Sequence, residues 1–140
     1  MINKVIAQAK NPRSIEEATA LVKEVEHLFN DWNVEAILDG FTEDAVTKFR
    51  DIPTFTGKER LRELFEVSER TRRDFNLTKT LKAFSGDVIC GTWDCTWVDV
   101  QSNKKMAGFG CEFWTMRDGK IALWEGTFNG WEIRDAQAAG

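Results

Sequence analysis

The second half of the chain constrains the fold most, because apolar residues recur there at every second position. Four such segments extend over about 76–84, 88–100, 104–116 and 120–129. Short polar stretches separate them at 85–87, 101–103 and 117–119. Period-two alternation is typical of half-buried strands, and short turns join antiparallel neighbours. The sequence therefore predicts a four-stranded antiparallel meander.

The first half has the three- and four-residue spacing of amphipathic helices. Ser14 and Glu17 form the pattern of a capping box, and Asn33 is a candidate N-cap for a second, short helix. A second capping box is expected from Thr56 to Glu59, before a third helix. Between these helices, residues 42–44 are predicted to form a polar turn and residues 45–52 a strand. The first helix carries an apolar stripe of Ala18, Leu21, Val22, Val25, Leu28, Phe29 and Trp32.

This element order predicts an α+β fold: a cone-shaped, curved antiparallel sheet with three helices packed on one face, enclosing a pocket. Glycines within the strands would allow the sheet to bend. The 140 residues fit one domain, which we expect at 14–133. Residues 1–13 would form an N-terminal extension and 134–140 a flexible tail. The glycines concerned are Gly91, Gly108, Gly110, Gly126 and Gly130.

Composition excludes several classes of function. The net charge of −4 gives no support for a nucleic-acid or anionic-membrane partner. No apolar run of 18 residues is present, so no membrane span is expected, and the N-terminal apolar run is too short for a signal peptide. A single histidine, His27, rules out a multi-histidine metal site, and we expect no metal and no cofactor. Three cysteines without a CxxC pair indicate buried apolar residues and a reducing, cytoplasmic location.

Several segments together resemble one protein family. These segments are LFNDWN at 28–33, FTEDA at 41–45, FTGKERL at 55–61 and RDGKI at 117–121. In order and spacing they resemble the nuclear transport factor 2-like superfamily, SnoaL-like branch, over residues 14–133. KFR at 48–50 and FGCEFW at 109–114 are similar to an uncharacterised bacterial subgroup of that branch. The resemblance implies a conical small-molecule pocket, a fold that hosts isomerases, dehydratases, hydrolases, cyclases and non-catalytic binders.

The chain departs from the better-known members of this branch. By resemblance, Val25 stands where ketosteroid isomerases have their tyrosine, and Phe49 falls near their catalytic aspartate, whereas Glu112 matches their second acid. His27 cannot supply the paired histidines of scytalone dehydratase-like enzymes. The Asp-Arg-Asp arrangement of limonene epoxide hydrolases has no clear counterpart. Ketosteroid isomerase chemistry is therefore disfavoured.

The candidate site combines strand alternation with this resemblance. Lys48 and Arg50 share one face of the first strand, and Glu112 shares a face with Trp114 in the fourth. The resemblance turns these faces into the pocket, so that Glu112 would meet Lys48 and Arg50. We expect Glu112 and Arg50 as catalytic residues, with ligand-binding roles for Lys48, Trp114, Trp124, Phe128, Asn129, Trp32 and Phe65.

Structural explanations compete with these functional ones. Glu112 and Arg50 could form a buried structural ion pair, since such pairs also perturb pKa values. Lys48 could be a surface cation, and Asn129 could close a turn. These alternatives stay open at the level of sequence.

Two classes of function follow. The first is a protein that binds a small, mostly apolar molecule bearing an anionic or carbonyl group, with cofactor-free acid/base isomerase, dehydratase, cyclase or hydrolase chemistry as an option. The second is a non-catalytic ligand-binding or dimeric interaction module. A homodimer is expected through the outer face of the sheet, where Ala107, Phe109, Cys111 and Phe113 would lie.

Overall fold

The structure, a computed structural model, describes residues 10–134, which form three helices and six strands. Of the predicted N-terminal extension only residues 10–13, and of the predicted tail only residue 134, lie within the described part. The helices are α1 (Ile15–Asn30), α2 (Val34–Asp39) and α3 (Lys58–Thr71). The strands are β1 (Phe41–Phe49), β2 (Phe55–Thr56), β3 (Arg72–Ser85), β4 (Val88–Asp99), β5 (Lys105–Arg117) and β6 (Lys120–Glu132).

The six strands form one curved, unclosed sheet in the order β2-β1-β6-β5-β4-β3. The predicted meander is confirmed, because β3 to β6 pair antiparallel with their sequence neighbours. The predicted α+β class, with three helices on a curved sheet, is confirmed as well. One pairing differs from an all-antiparallel sheet, since β1 runs parallel to β6.

The first strand starts earlier than predicted. Residues 42–44 belong to β1 instead of forming a turn. The register of β1 against β6 shifts between Phe41 and Val46, so the polar residues bulge outward while Phe41 and Ala45 remain buried. Residues 42–44, which are typical of a turn, therefore lie in a β-bulge within the strand.

Two of the three predicted helix starts are confirmed. The Ser14 hydroxyl accepts a hydrogen bond from the Glu17 amide at 3.1 Å, and Asn33 caps α2 in the same way. The second predicted capping box is wrong, because Gly57 is the N-cap of α3 and provides no side-chain cap. Gly57 has φ +103°, a left-handed conformation that favours glycine at this bend.

Side chains of α1 complete the hydrogen bonding of the edge strand β3. Asn30 accepts from the Leu77 amide at 2.8 Å and donates to the Leu77 carbonyl at 2.9 Å. Two residues further along, the Lys79 amide donates to Glu26 at 2.6 Å and the Lys79 carbonyl accepts from Lys23 at 2.7 Å. An edge strand normally presents unpaired backbone groups. Here α1 satisfies them and fixes β3, including Lys79, against the helical layer.

The helices cover only one face of the sheet. The main core lies between the helices and this face of the sheet, and it includes Val22, Leu61, Phe65 and Trp114. The opposite, outer face carries Phe109, Phe113 and Trp131, which are 39–45% exposed. Within residues 10–134, no helix has the length and apolarity that crossing a bilayer requires.

Candidate functional site

A cavity of about 180 Å³ lies between α1, α3 and the inner face of the sheet. Its walls are mostly aromatic, so a ligand there would be largely removed from water. Polar groups that reach it include Asp51, Ser68, Arg72 and Lys79. The rings that line it are Phe29, Trp32, Phe49, Phe65, Phe75, Trp93, Trp124 and Phe128.

Lys79 is the more deeply buried of the two cations in this cavity, at 4% exposure. Its ammonium donates to Oε2 of Glu112 at 2.5 Å, and Glu112 is itself 3% exposed. Three ring faces surround the Lys79 ammonium, with centroids 4.9–5.6 Å away, from Trp93, Phe29 and Trp114. A buried charge needs such compensation, because desolvation otherwise costs several kcal/mol.

The second oxygen of Glu112 is also fully engaged. Oε1 accepts hydrogen bonds from the indole nitrogens of Trp114 at 2.6 Å and Trp124 at 3.0 Å. The carboxylate therefore has a donor on both oxygens and adjoins only a second, much smaller cavity of about 50 Å³. Glu112 fixes the Lys79 side chain, and it is Lys79 that lines the larger cavity.

Glycine positions explain how Lys79 can reach across the sheet to Glu112. In the strand register, Lys79 lies opposite Trp93, and Trp93 lies opposite Gly110, whereas Glu112 lies opposite Gly91. The Trp93 ring occupies the space over Gly110, where an added Cβ would stand 2.2 Å from the ring. No side chain at Gly91 or Gly110 blocks the diagonal between the two charged residues.

Arg72, the second cation, has a different environment. Its guanidinium lies over the rings of Trp97 at 4.5 Å and Phe128 at 5.7 Å. Among residues 10–134, no carboxylate forms an ion pair with it. Burial lowers the pKa of Arg72, because desolvation disfavours its charged form. Arginine keeps its charge at neutral pH nonetheless, so the cavity contains a cation without a protein counter-ion in the described part of the chain.

Trp32 contributes a polar atom without a partner. Its indole nitrogen is buried and has no hydrogen-bond acceptor among the described residues. Trp32 follows α1 with φ +49°, a left-handed conformation that is uncommon for a bulky residue. The indole packs against Phe75 with a centroid distance of 5.0 Å. A buried donor without a partner costs free energy.

Most of the predicted aromatic residues lie where the sequence placed them. Trp32, Phe65, Trp124 and Phe128 line the larger cavity, and Trp114 faces inward beneath it. Their roles in ligand binding stay predictions.

The predicted partners of Glu112 are wrong. Lys48 and Arg50 do share one face, but that face is exposed, and Arg50 follows the end of β1. The buried positions of β1 are Ala45, Thr47 and Phe49. Alternation correctly grouped the residues, whereas the choice of face came from the resemblance and was inverted in this strand. Arg50 and Lys48 therefore do not meet Glu112.

Asn129 is also displaced from its predicted place at the pocket mouth. It lies opposite Phe109 on β5 and is exposed, so it belongs to the outer face. Phe128, its neighbour, takes the inward position. The predicted contribution of Asn129 to the pocket is therefore not supported by its position.

Sequence reasoning missed both cations of the cavity. Lys79 stands in the alternating series Phe75, Leu77, Lys79, Leu81, so its inward position was readable from the pattern. Arg72 had no comparable signal, because it lies at the junction of α3 and β3 within a charged segment. Its guanidinium packs on the rings of Trp97 and Phe128, a contact that spacing along the chain does not show.

No group of three or more histidine, cysteine, aspartate or glutamate side chains that could hold a metal is found within residues 10–134. The three cysteines are free thiols. Burial raises the pKa of the Cys95 thiol to about 11, although the nearby Arg72 charge lowers it in part. Cys95 is thus predominantly the neutral thiol at physiological pH.

Comparison with protein families gives one match. Residues 11–139 match the family described as "Protein of unknown function (DUF1348)". A search of curated proteins finds no match to this sequence.

Solved structures show the same fold at low sequence identity. A proposed polyketide cyclase from Xanthomonas campestris has 20% identity and a TM-score of 0.71, over 80% of this chain and 90% of that one. The epoxide hydrolase/cyclase-like enzyme SalBIII, of pyran ring formation in salinomycin, has 18% identity and a TM-score of 0.71, over 81% and 92%. An epoxide hydrolase from M. tuberculosis has 13% identity and a TM-score of 0.62, over 80% and 82%. These neighbours confirm the SnoaL-like, nuclear transport factor 2-like fold.

Proposed function

Because the chain belongs to the DUF1348 family, whose description assigns no activity, we propose a function from the cavity itself. The protein binds a small, mostly apolar molecule that carries a carbonyl or anionic group. The volume of about 180 Å³ is below the ~300 Å³ at which pockets for drug-sized ligands begin. The ligand is therefore expected to be of the size of one substituted ring or a short branched chain.

The observation that carries this proposal is that Lys79, whose ammonium is paired with Glu112, lines an aromatic cavity. A hydrogen-bond donor in apolar surroundings selects ligands with an acceptor at the matching position. Because Glu112 balances its charge at 2.5 Å, Lys79 acts towards a ligand as a hydrogen-bond donor.

The same arrangement supports acid/base chemistry without a cofactor. Lys79 would donate a hydrogen bond to a carbonyl oxygen and stabilise negative charge that develops there in an enolate or tetrahedral intermediate. Glu112 would hold Lys79 in place. The proton removed from the ligand, or from an attacking water, would pass to Asp51, the carboxylate that lines the same cavity within residues 10–134. Isomerisation and dehydration beside a carbonyl group, aldol-type cyclisation and ester hydrolysis include such a step. SalBIII, a structural neighbour, is described as epoxide hydrolase/cyclase-like, which is consistent with this range.

Tryptophan fluorescence can test binding, since Trp32, Trp93 and Trp124 line the cavity. Acetophenone and ethylbenzene have similar shapes, but only the ketone offers an acceptor. We expect the wild-type protein to bind the ketone several-fold more tightly. The double variant Lys79→Met/Glu112→Gln should lose this preference, and exposed Lys82→Met should keep it. Equal affinities for both compounds in the wild-type protein would contradict the proposal.

A non-catalytic binding protein is the main alternative, and one experiment separates it from an enzyme. In deuterated buffer, an acid/base catalyst of the proposed kind should exchange the methyl protons of acetophenone faster than buffer does, as followed by proton NMR. Glu112→Gln should abolish the acceleration while the protein remains folded. Ketone binding without any accelerated exchange would favour the binding module.

The exposed aromatic residues of the outer face favour a second candidate function, a homodimeric interaction module. Phe109, Phe113 and Trp131 lie on the neighbouring strands β5 and β6, opposite the helices. Exposed apolar groups of this kind are typical of interfaces. Light scattering should give the mass of a dimer for the wild-type protein and that of a monomer for Phe113→Glu. A wild-type monomer would exclude this candidate.

Three free thiols agree with the expected cytoplasmic location, which stays part of the proposal.

A further inference from the structure

We propose that Arg72 and Trp32 form an anion-binding subsite in the cavity, so that the ligand is a small apolar carboxylate. This inference rests on the proposed binding function and adds the chemical class of the ligand. It concerns the region near the junction of α3 and β3, away from the Lys79–Glu112 pair.

The first observation is the unbalanced charge of Arg72. Lys79 is neutralised by Glu112 at 2.5 Å, whereas no carboxylate of residues 10–134 pairs with Arg72. Burying a cation without a counter-ion is costly, and the burial that lowers the Arg72 pKa is the same cost in another form. An anionic ligand would remove that cost.

The second observation is the geometry of the guanidinium. Its contacts with Trp97 at 4.5 Å and Phe128 at 5.7 Å are made through ring faces, which support the guanidinium without using its N–H groups. A carboxylate accepts two parallel hydrogen bonds from one guanidinium, a match that a lysine cannot reproduce. The rings also restrict the orientation of Arg72 in advance, which reduces the entropy lost on binding.

The third observation is the unpartnered indole of Trp32. Its nitrogen is buried, and Trp32 and Arg72 line the same cavity. The only carboxylate that lines this cavity among the described residues, that of Asp51, is exposed and forms no ion pair with Arg72. A ligand carboxylate would therefore find two unused donors, and the buried carboxylate of Glu112 lies outside the lining of this cavity and is already paired with Lys79.

The aromatic walls define the remainder of the ligand. Phe49 and Phe65 both pack against Trp124, with ring centroids 4.6 Å and 5.9 Å from its ring. They offer apolar contact and no further anion contact. A ring or branched alkyl group attached to the carboxylate is the chemistry that fits.

Isosteric pairs of ligands test the inference directly. Benzoate and benzamide, and phenylacetate and phenylacetamide, differ in charge but hardly in shape. By titration calorimetry at pH 7, the wild-type protein should bind each acid about tenfold or more tightly than its amide, as expected for a charge-assisted contact. In Arg72→Met this preference should fall to about one, because the acid loses a charge-assisted contact and the amide only a neutral hydrogen bond. Arg70→Met, at an exposed arginine two residues away, should behave as the wild-type protein.

Two further variants protect the test against loss of folding. Arg72→Lys keeps the charge but not the bidentate geometry, so it should retain only part of the preference. Trp32→Phe keeps the ring but removes the N–H, and acid affinity should fall several-fold. Amides that bind as tightly as acids in the wild-type protein would overturn the anion subsite and leave the binding function intact. Failure of both series to bind would overturn both proposals.

Discussion

Lys79 and Arg72 are two cations on the wall of one cavity, yet the protein treats them differently. The Lys79 ammonium has a carboxylate at 2.5 Å and three ring faces around it. The Lys79 backbone amide and carbonyl are both hydrogen-bonded to side chains of α1. Within residues 10–134, the Arg72 guanidinium lies over two ring faces and pairs with no carboxylate. The charge of Lys79 is balanced by Glu112, whereas the charge of Arg72 is available to an anionic ligand.

The difference distinguishes a charge that is paired within the protein, Lys79, from one that is free to pair with a ligand, Arg72. A buried ion pair contributes little net stability, but breaking it exposes one charge to an apolar environment. A half-buried arginine that rests on aromatic rings has already been desolvated at the expense of stability. The Lys79–Glu112 pair should matter most for folding, in addition to the hydrogen bond that Lys79 offers to a ligand. Arg72 should matter most for binding an anion.

The largest expected effect is on the Lys79–Glu112 pair. Lys79→Met or Glu112→Gln alone should lower the free energy of unfolding by about 3–5 kcal/mol, because either leaves an uncompensated buried charge. The double variant removes both charges and keeps an oxygen for the indoles of Trp114 and Trp124. It should therefore be destabilised by less than the sum of the two. Urea denaturation of the four proteins gives the coupling energy.

Exposed Lys82→Met is the control, with an expected change within about 0.5 kcal/mol. If the double variant lost as much stability as the sum of the two single variants, the two charges would not depend on each other. That result would remove the contrast with Arg72.

A smaller loss of stability is expected at Gly110. In Gly110→Ala, the new methyl group would enter the space of the Trp93 ring, 2.2 Å away. Overpacking of this kind costs about 1–3 kcal/mol. Trp93 covers Lys79 and stacks on Phe128 at 5.7 Å, so the whole inner wall would be displaced. Thermal denaturation measures the loss, and unchanged stability with an unchanged tryptophan spectrum would contradict this packing.

Arg72→Met should have the smallest effect on folding. The methionine fills similar volume against Trp97 and Phe128 and carries no charge that must be desolvated. We expect a change in the free energy of unfolding within about 1 kcal/mol, of either sign. Urea denaturation tests this alongside Lys79→Met. A loss as large as that of Lys79→Met would mean that Arg72 is structural too.

The pKa of the Cys95 thiol responds to the positive charges of both Arg72 and Lys79. Its folded pKa of about 11 lies above the ordinary value of 9.0, so the folded protein holds that proton more tightly than the unfolded chain. The associated stability is complete below pH 9 and is lost as the pH rises to 11. In a Cys90→Ser/Cys111→Ser background, thiolate absorbance against pH should give this pKa.

Adding Arg72→Met should raise that pKa further, and Lys79→Met should raise it less, because Glu112 already offsets the charge of Lys79. Equal shifts from both variants would contradict the distinction between them.

The sequence predicted the α+β class, the meander and two of the helix starts. Alternation in 76–129 gave the meander, and the capping residues Ser14 and Asn33 gave two helix starts, because these signals are local. The start of β1 was wrong, since the bulge after Phe41 depends on its parallel pairing with β6, a contact distant in sequence.

The site was only partly predictable for the same reason. Glu112 and the inward aromatic residues follow from period two within one strand. The partner of Glu112 depends on which residue of another strand lies across Gly91 and Gly110, and spacing along the chain does not contain that information. The expected Arg50 was chosen by analogy, whereas Lys79 was visible as a lysine in an apolar series.

A crystal structure of the protein with phenylacetate tests the division between the two cations most directly. We expect a carboxylate oxygen at about 2.7–2.9 Å from the Arg72 guanidinium, with the aromatic ring in the cavity and the Lys79–Glu112 pair unbroken. A carboxylate bound to Lys79 in place of Glu112, or a ligand outside the cavity, would contradict the account.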